Sequence, residues 1–419
     1  MISDRPIRLG VVGGAYGHGR GMSFVRLAPQ VGMEVVALCD INEEALRQKR
    51  EELGVATFLD FDEMLGFDLD AVILCNYFHE HAPFAIQALQ AGKHVISETT
   101  ACKTLGEGVA LARAVEASGC VYVFAENYPF FAVNQEMRRL YQAGEVGEVR
   151  FCEGEYIHPG PDEWVNSISP GMNHWRNWLP STYYCTHALG PLMYISGTMP
   201  VSVNAQSIPR TAAERRERMV VRRQDAAAVI VCRMDNGALA TVNGLGLRGE
   251  GNWYRVHGTR GLMENCREHG RGGFVRVVHE PWDLGEGQVT EKVYQPEFPV
   301  AQELAGQAGH SGGDFFTLYH FARAVREGVA PWFNVYRGIS MSVVGMQAWR
   351  SALDHGAEYP IPDFSNEAAR APYENDQWSP FPEDAGPGQP PPSIEGLWEP
   401  TPEQVAAAEK VWRELGLEI

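Results

Sequence analysis

The stretch IRLGVVGGAYGHGRG, residues 7–21, decides the fold, because an apolar run leads directly into a cluster of glycines. The apolar run is typical of a buried strand, and MSFVRLAPQV at 22–31 is predicted to form a helix. A second apolar run, EVVALCD, follows and ends at Asp40. This order predicts a βαβ unit whose glycines let the backbone approach a pyrophosphate.

Asp40 lies 27 residues after Gly13, within reach of an adenosine ribose. Its carboxylate would accept hydrogen bonds from the ribose hydroxyls and repel a 2′-phosphate, which favours NAD over NADP. The glycines do not follow strict GxGxxG spacing, because Ala15 and His18 occupy two of the positions. A Gly-rich surface turn is therefore the alternative interpretation of this stretch.

The alternation of strand-like and helix-like runs continues to about residue 127. Strand-like runs at 70–76, 93–98 and 120–127 alternate with helix-like runs at 81–92 and 106–119. This pattern predicts a parallel, doubly wound sheet that binds ligands at the carboxyl ends of its strands. The predicted cofactor-binding residues lie in the Gly-rich turn and near these strand ends: Gly13, Gly14, Ala15, Tyr16, Gly17, Asp40, Asn76, His81, Glu98 and Asn127.

Composition narrows the class of protein. The 419 residues carry a net charge of −18, which disfavours nucleic acid as a partner. No apolar run reaches the roughly 18 residues of a membrane span, and the start lacks the pattern of a secretory leader, so we expect a cytoplasmic protein. The eight Cys form no CxxC motif and the 13 His no recognised ligand set, so we predict reduced thiols and no metal.

The pattern changes after about residue 148. Alternating runs at 149–158, 226–234, 238–246 and 252–265 predict an open, mostly antiparallel sheet, and 313–328 and 334–356 are predicted helices. The predicted fold class is therefore an N-terminal α/β Rossmann domain followed by an α+β domain. The predicted domains are a cofactor domain at 1–128, a substrate and oligomerisation domain at 129–365, and a tail at 366–419.

The tail combines a Pro-rich, acidic segment with a final helix. Thr401 is the predicted N-cap of this helix, Pro402 its first residue, and Gln404 completes a capping box. Aromatic residues embedded in the Pro-rich segment, such as Trp378 and Phe381, predict that the tail docks. It would wrap its own domain or a neighbouring subunit.

The run HAPFAIQALQAGKHVISE, residues 81–98, resembles the Gfo/Idh/MocA oxidoreductase family. In that family the strand usually ends in Glu-Lys-Pro, and the Lys faces the nicotinamide and serves sugar dehydrogenation. This chain has Glu98, Thr99 and Thr100 instead. Because Thr99 cannot act as an acid or base near neutral pH, either dehydrogenation is lost or other residues move the protons.

Further motifs resemble one branch of that family, the NAD-dependent glycoside hydrolases of the α-N-acetylgalactosaminidase type. FAENYPFF, EGEYIH, HWRNW, YYCTHALGP and HSGGDFF occur here in that order, and the resemblance covers about residues 5–365. Its most specific element is Tyr-x-x-His-x-x-Gly-Pro, which begins at Tyr184. The sugar dehydrogenases have Asp four residues before the His, where this chain has Tyr183.

This resemblance implies glycoside cleavage through a temporary oxidation. NAD would oxidise the carbon-3 hydroxyl, a base would remove the carbon-2 proton, the carbon-1 group would leave, water would add, and the hydride would return. The resemblance implies Tyr156 as the base near carbon 2, with Tyr184 and His187, which can share a helical face, handling the hydroxyl proton. The predicted substrate-binding residues are Glu126, Trp175, Arg176, His310 and Asp314.

Each of these roles has a structural alternative. His187 could be a core or helix-capping residue, Tyr156 could pack on the sheet, and Glu126 could cap the next helix. At the level of function, the alternatives are a sugar or polyol dehydrogenase that releases NADH and a non-catalytic NAD-binding regulatory protein. We expect a small sugar or glycoside as partner and a homo-oligomer, dimer or tetramer.

Overall fold

The computed structural model describes residues 5–15, 20–249 and 251–417, which form two compact units. The first comprises Met1–Ala132, Glu297–Ser342 and Pro362–Gln377, and the second comprises Val133–Pro296, Val343–Ile361 and Trp378–Ile419. The predicted limits at 128 and 365 did not anticipate that 297–342 returns to the first unit. Apolar side chains of its helix Gly313–Glu327, such as Leu318 and Phe321, share a core with β-strand residues such as Leu9.

The first unit contains a six-stranded sheet, β1 to β6. Its strands are Ile7–Val12, Met33–Cys39, Ala56–Phe58, Ala71–Leu74, His94–Ser97 and Tyr122–Phe124. All pair in parallel in the order β3-β2-β1-β4-β5-β6, so the predicted doubly wound sheet is confirmed. The order reverses between β1 and β4, where ligands bind in such sheets.

Helices connect these strands; those near 22–31, 81–92 and 106–119 were predicted, whereas Glu43–Leu53 and Phe61–Leu65 were not. They span Gly21–Leu27, Glu43–Leu53, Phe61–Leu65, His81–Gln90 and Leu105–Ser118, and Gln302–Gln307, Gly313–Glu327 and Glu367–Arg370 belong to the later segments of this unit. The long helix Val335–Leu353 contains the division between the two units. Helix Gly21–Leu27 is shorter than predicted, because Pro29 enters a 3₁₀ turn at Ala28–Val31.

The second unit is built on a nine-stranded sheet, β7 to β15. Its strands are Val149–Ile157, Pro200–Ile208, Ala227–Met234, Leu239–Leu245, Gly251–Gly258, Leu262–Asn265, Val275–Val278, Glu291–Tyr294 and Tyr359–Pro360. Their order is β14-β13-β12-β11-β7-β10-β9-β8-β15, and β7 with β10 is the parallel pair among the strands described. The predicted open, mostly antiparallel sheet is confirmed, although the run 252–265 forms two strands.

The tail packs on the second unit through its last helix. Further helices of this unit span Ala132–Gln142, Asp162–Ser167, Thr186–Ser196, Ala212–Glu217 and Pro402–Glu414. The capping box of Thr401 and Gln404 is confirmed, and Trp412 is buried with its indole N–H donating to the Asn166 carbonyl at 3.0 Å. The tail therefore docks on its own chain. None of the helices described has the length and apolar composition needed to cross a membrane.

Candidate active site

The Gly-rich turn after β1 presents backbone rather than side chains. Gly13 and Gly14 have φ of +78° and +76°, which L side chains rarely adopt. A Cβ on Gly13 would also lie 2.7 Å from the Asn76 backbone nitrogen. The predicted contacts Tyr16 and Gly17 lie outside the described residues. Glycine is therefore required here both by the backbone conformation and by the close packing of the turn against the segment after β4.

Asp40 follows β2 and holds this turn. Its carboxylate accepts the N–H of Ala15 at 3.0 Å and, through the other oxygen, the N–H of Asn42 at 3.0 Å. Each carboxylate oxygen can accept a second hydrogen bond. Asp40 is only partly buried, so the remaining capacity can serve ribose hydroxyls.

His81 ties together the chain segments that follow β4 and β5. Its Nδ1 lies 2.7 Å from the Thr100 carbonyl oxygen, and its Nε2 lies 3.3 Å from that of Asn76. Burial lowers the pKa of His81 to about 4, so the ring is neutral at pH 7 and only one of its nitrogens donates. The peptide bond between Thr99 and Thr100 is cis.

Two buried amide oxygens in this unit have no hydrogen-bond partner in the part of the chain that is described. They are Oδ1 of Asn76 and Oδ1 of Asn127, each two or three residues beyond a strand. Buried polar atoms are normally satisfied, so such acceptors fit a ligand that brings N–H or O–H donors. Together with the bare glycine turn and Asp40, they fit a dinucleotide.

Arg20, at the end of the Gly-rich stretch, is the centre of a charged cluster that the sequence did not predict. Its guanidinium donates to Glu98 at 2.8 Å and also contacts Asp314. Asp314 accepts from the Asn127 amide at 2.9 Å, and its other oxygen lies 3.0 Å from Nδ1 of His310. All of these groups belong to the first unit. The positive charge of Arg20 lies beside the carboxylates of Glu98 and Asp314.

The cluster shifts the pKa values of its two carboxyl groups in opposite directions. Burial raises the pKa of Glu98 to about 7, even though Arg20 acts against that shift. Burial also opposes the charge on Asp314, but Arg20 and the bonds from His310 and Asn127 outweigh it and lower that pKa to about 2. At neutral pH, Asp314 is therefore the carboxylate that neutralises Arg20.

Three predicted substrate-binding residues lie in this first unit. Asp314 is 1% exposed and already accepts three donors, which favours positioning of Arg20 over direct contact with a sugar. His310 is more exposed. Glu126 is fully buried and accepts the Tyr128 N–H at 3.3 Å, as the capping alternative anticipated.

The second unit brings together the three predicted catalytic side chains. Ring centroids of Tyr156 and His187 are 4.8 Å apart, those of Tyr184 and His187 are 5.2 Å apart, and the two tyrosine rings stack at 5.7 Å. Helix Thr186–Ser196 begins after Tyr184, so the expectation of a shared helical face is wrong. The contact arises instead from the turn before the helix.

Local packing fixes this Tyr–His cluster, which we define as Tyr156, Tyr184 and His187. A Cβ on Gly154 would collide with the Ala188 carbonyl, so a glycine is what allows β7 to approach the helix. The hydroxyl of Tyr254 donates to the His187 carbonyl at 2.9 Å. Since phenol and imidazole groups both transfer protons, this arrangement is suited to acid–base chemistry.

Two further side chains extend the cluster. Arg176 lies over the ring of Trp175 at 4.2 Å and near that of Tyr184 at 5.9 Å, which places both predicted residues beside the cluster. His158, which sequence reasoning missed, has its ring 5.6 Å from that of Tyr156. His158 directly follows the end of β7 at Ile157, two residues after Tyr156, and this spacing is the signal that would have placed it on the same face.

No three His, Cys, Asp or Glu side chains come together as a metal site within residues 5–15, 20–249 and 251–417. The absence of a metal therefore stays a prediction. The eight cysteines are free thiols, and six of them are buried.

Comparisons with known proteins agree with both units. Residues 7–126 match the family model of the Gfo/Idh/MocA oxidoreductases with an NAD-binding Rossmann fold, and 134–264 match a C-terminal domain of the same family. Residues 221–370 match the C-terminal domain of glycosyl hydrolase family 109. A family 109 protein of Shewanella sp. strain MR-4 is 26% identical over 402 residues, with 86% of each chain covered.

Solved structures show the same fold at low identity. An oxidoreductase domain protein from Kribbella flavida has a TM-score of 0.70 and 20% identity, covering 85% of this chain and 100% of its own. An inositol dehydrogenase homologue from Azotobacter vinelandii, complexed with NAD+, has a TM-score of 0.67 and 20% identity, with 86% and 98% covered. The family matches confirm the predicted NAD cofactor and the predicted class of enzyme. This chain therefore belongs to the Gfo/Idh/MocA oxidoreductase family.

Proposed function

We propose that the chain is an NAD-dependent glycosidase that cleaves its substrate by oxidation, elimination, hydration and reduction. The observation that carries this proposal is the Tyr–His cluster in a chain whose Lys position is Thr99. The match of 221–370 to glycosyl hydrolase family 109, and relatives of that name over most of the chain, support it.

The chemistry explains why proton-transfer groups are needed. A ketone at carbon 3 acidifies the proton on carbon 2, so that removing this proton expels the group on carbon 1. Water then adds to the resulting enone at carbon 1, and carbon 2 regains a proton. Bound NAD would supply the redox chemistry, taking two electrons from carbon 3 at the start and returning them at the end. The net reaction is hydrolysis, with the cofactor unchanged.

The Tyr–His cluster supplies the proton transfers in this proposal. Tyr156 removes the carbon-2 proton, while Tyr184 and His187 take and return the proton of the carbon-3 hydroxyl. The His187 ring lies 4.8 Å from that of Tyr156 and 5.2 Å from that of Tyr184, so an imidazole stands beside each phenol in a chain that has Thr99 in place of the usual lysine. A positioned general acid or base contributes about 10²–10⁴-fold to a rate.

The first unit supplies cofactor binding. Gly13 and Gly14 would admit the pyrophosphate, and Asp40 would accept the adenosine ribose hydroxyls. The orphaned oxygens of Asn76 and Asn127 would accept donors from the cofactor. Asp314 neutralises Arg20 and so positions Glu98, which lies immediately before Thr99.

A panel of aryl glycosides tests the proposal. We expect release of the aglycone in many turnovers from a single charge of NAD+, without net NADH at 340 nm. NADH formed in proportion to product would instead show a sugar or polyol dehydrogenase. That alternative is supported by similarity to solved structures named levoglucosan dehydrogenase and inositol dehydrogenase homologue.

A chain that binds NAD but neither releases an aglycone nor forms NADH with any of these glycosides would fit the regulatory alternative. Cytoplasmic location and a homo-oligomer stay predictions from the sequence. Sedimentation of the purified protein would determine its oligomeric state directly.

A further inference from the structure

A short segment of the second unit, Arg222–Gln224, lies against the turn that carries Trp175 and Arg176. The N–H of Arg223 donates to the Asn177 carbonyl at 2.9 Å. The side-chain amide of Gln224 donates to the Arg176 carbonyl at 2.9 Å. Arg222 is thereby placed beside the turn whose Arg176 side chain reaches Tyr184.

Neither Arg176 nor Arg222 forms an ion pair with any carboxylate in the described chain. Nε of Arg222 is buried there without a hydrogen-bond partner. The neighbouring arginines differ, because Arg223 pairs with Glu399 at 3.1 Å and Arg218 pairs with Asp162. Among the described residues, Arg210 also lacks a carboxylate partner, although its Nε donates to the Gln224 carbonyl at 3.2 Å. Arg176 and Arg222 therefore lie in a region whose positive charge is only partly paired.

Electrostatics around Arg222 are unfavourable for a cation. Burial, together with the positive charges of Arg176, Arg210 and Arg218, lowers the pKa of Arg222 to about 9. Asp225, three residues along the chain, does not compensate. Its carboxylate accepts hydrogen bonds from the Ser207 and Ser393 hydroxyls and the Ile394 N–H.

The chain has a net charge of −18 and many acidic side chains, yet none among the described residues pairs with Arg176 or Arg222. Guanidinium groups bind carboxylate, sulfate and phosphate oxygens through parallel N–H donors, and such bonds are strong where water is excluded. A ligand oxyanion would supply the missing opposite charge. Because Tyr184 contacts both Arg176 and the other two rings of the Tyr–His cluster, that anion would belong to the molecule held by the cluster.

We propose that Arg176 and Arg222 bind an oxyanion carried by the sugar, so that the substrate is an acidic glycoside. The inference rests on the proposed function for its sugar, and it adds the chemical class: a uronic acid or a sugar sulfate or phosphate ester. The three share a compact group of oxygens with negative charge.

Calorimetric titration of the NAD-loaded protein tests this without requiring turnover. Matched pairs differ by one charged group: galacturonate against galactose, glucuronate against glucose, and the 6-phosphate and 6-sulfate of each hexose against the free hexose. We expect at least one acidic member to bind about tenfold or more tightly than its neutral partner. Comparison of the uronates with the phosphate and sulfate esters shows which kind of oxyanion the two arginines bind.

Arg222→Gln should abolish this preference, Arg222→Lys should keep part of it, and Arg223→Gln is the matched control that should keep it in full. Melting curves of all three variants establish that they are folded. Equal or undetectable binding of every acidic sugar would overturn the proposal, as would a preference that survives Arg222→Gln. Because binding is read directly, a failure here is separate from a failure of glycoside cleavage.

Discussion

Arg20 in the first unit and Arg222 in the second are both partly buried arginines close to predicted ligand-binding residues, but their partners differ. Arg20 contacts the carboxylates of Glu98 and Asp314, whereas Arg222 contacts none in the part of the chain described. The first arrangement is complete without a ligand, because the charges satisfy one another. The second leaves positive charge uncompensated beside aromatic rings.

This difference suggests a division of tasks. A neutralised cluster is rigid and positions its members, as expected where a dinucleotide is bound in one orientation. An uncompensated cation destabilises the folded chain unless a ligand neutralises it. The four predictions that follow test whether the first unit positions a cofactor while the second reacts with and selects the sugar.

The largest expected effect is on turnover in the second unit. His187→Ala or Tyr156→Phe should lower kcat for aglycone release by about 10²–10⁴-fold, because each removes a proton-transfer group. Titration with NADH, followed by fluorescence, should remain within about twofold of the parent protein. Tyr183→Phe is the matched control, since Tyr183 lies outside the cluster. Loss of NADH binding in His187→Ala would show that His187 supports cofactor binding or folding and not proton transfer alone.

The next effect is a pH dependence of stability in the first unit. The pKa of Glu98 is raised from 4.5 to about 7, so the folded chain binds more protons than the unfolded chain between these values. Protonated Glu98 therefore contributes about 3 kcal/mol to the free energy of unfolding. This contribution is fully present below pH 4.5 and is lost as the pH rises through 7. Glu98→Gln lacks this component.

The stability difference between the wild type and Glu98→Gln, measured by urea unfolding, should therefore change between pH 5 and pH 8 in favour of the variant. His81, whose pKa is lowered to about 4, contributes an opposite slope that is common to both proteins and cancels in the difference. A difference that does not vary with pH would show that Glu98 is ionised throughout.

Asp40 gives a smaller effect on cofactor binding. Asp40→Ala removes the acceptor of two backbone N–H groups and of the ribose hydroxyls, so NAD should bind about tenfold more weakly, with NADP less affected. Asp60→Ala is a useful control, because Asp60 also follows a strand but caps a helix. Equal weakening in both variants would indicate general destabilisation.

The smallest expected effect is on the free energy of unfolding, which should change in opposite directions when Arg222 and Arg223 are substituted. Arg222→Gln should raise the free energy of unfolding by about 1–2 kcal/mol, because it removes an uncompensated cation. Arg223→Gln should lower it by about 1 kcal/mol, because Arg223 pairs with Glu399 and lies over Trp178. Urea unfolding without a sugar measures both. A loss of stability in Arg222→Gln would mean that the cation is compensated.

The features that could be predicted from the sequence are those that a local pattern of residues determines. The alternation of strands and helices predicted the parallel sheet, because a helix between successive strands allows them to pair in parallel. The capping box at Thr401 predicted the start of the last helix, because capping involves residues that are neighbours in sequence. The contact between Arg20 and Asp314 was not predictable, since 294 positions separate them and only tertiary packing joins them. Arg222 was missed because the loop around it has no periodicity, although two arginines after the apolar pair Val220 and Val221 were a signal.

The most direct test of the central claim is the hydrogen at carbon 2 of the released sugar. Hydrolysis in deuterium oxide, followed by NMR of the product, should show deuterium at that carbon, because elimination removes its proton and hydration replaces it from solvent. A product that keeps its original hydrogen at carbon 2 would show that the glycosidic bond is displaced directly, without oxidation and elimination.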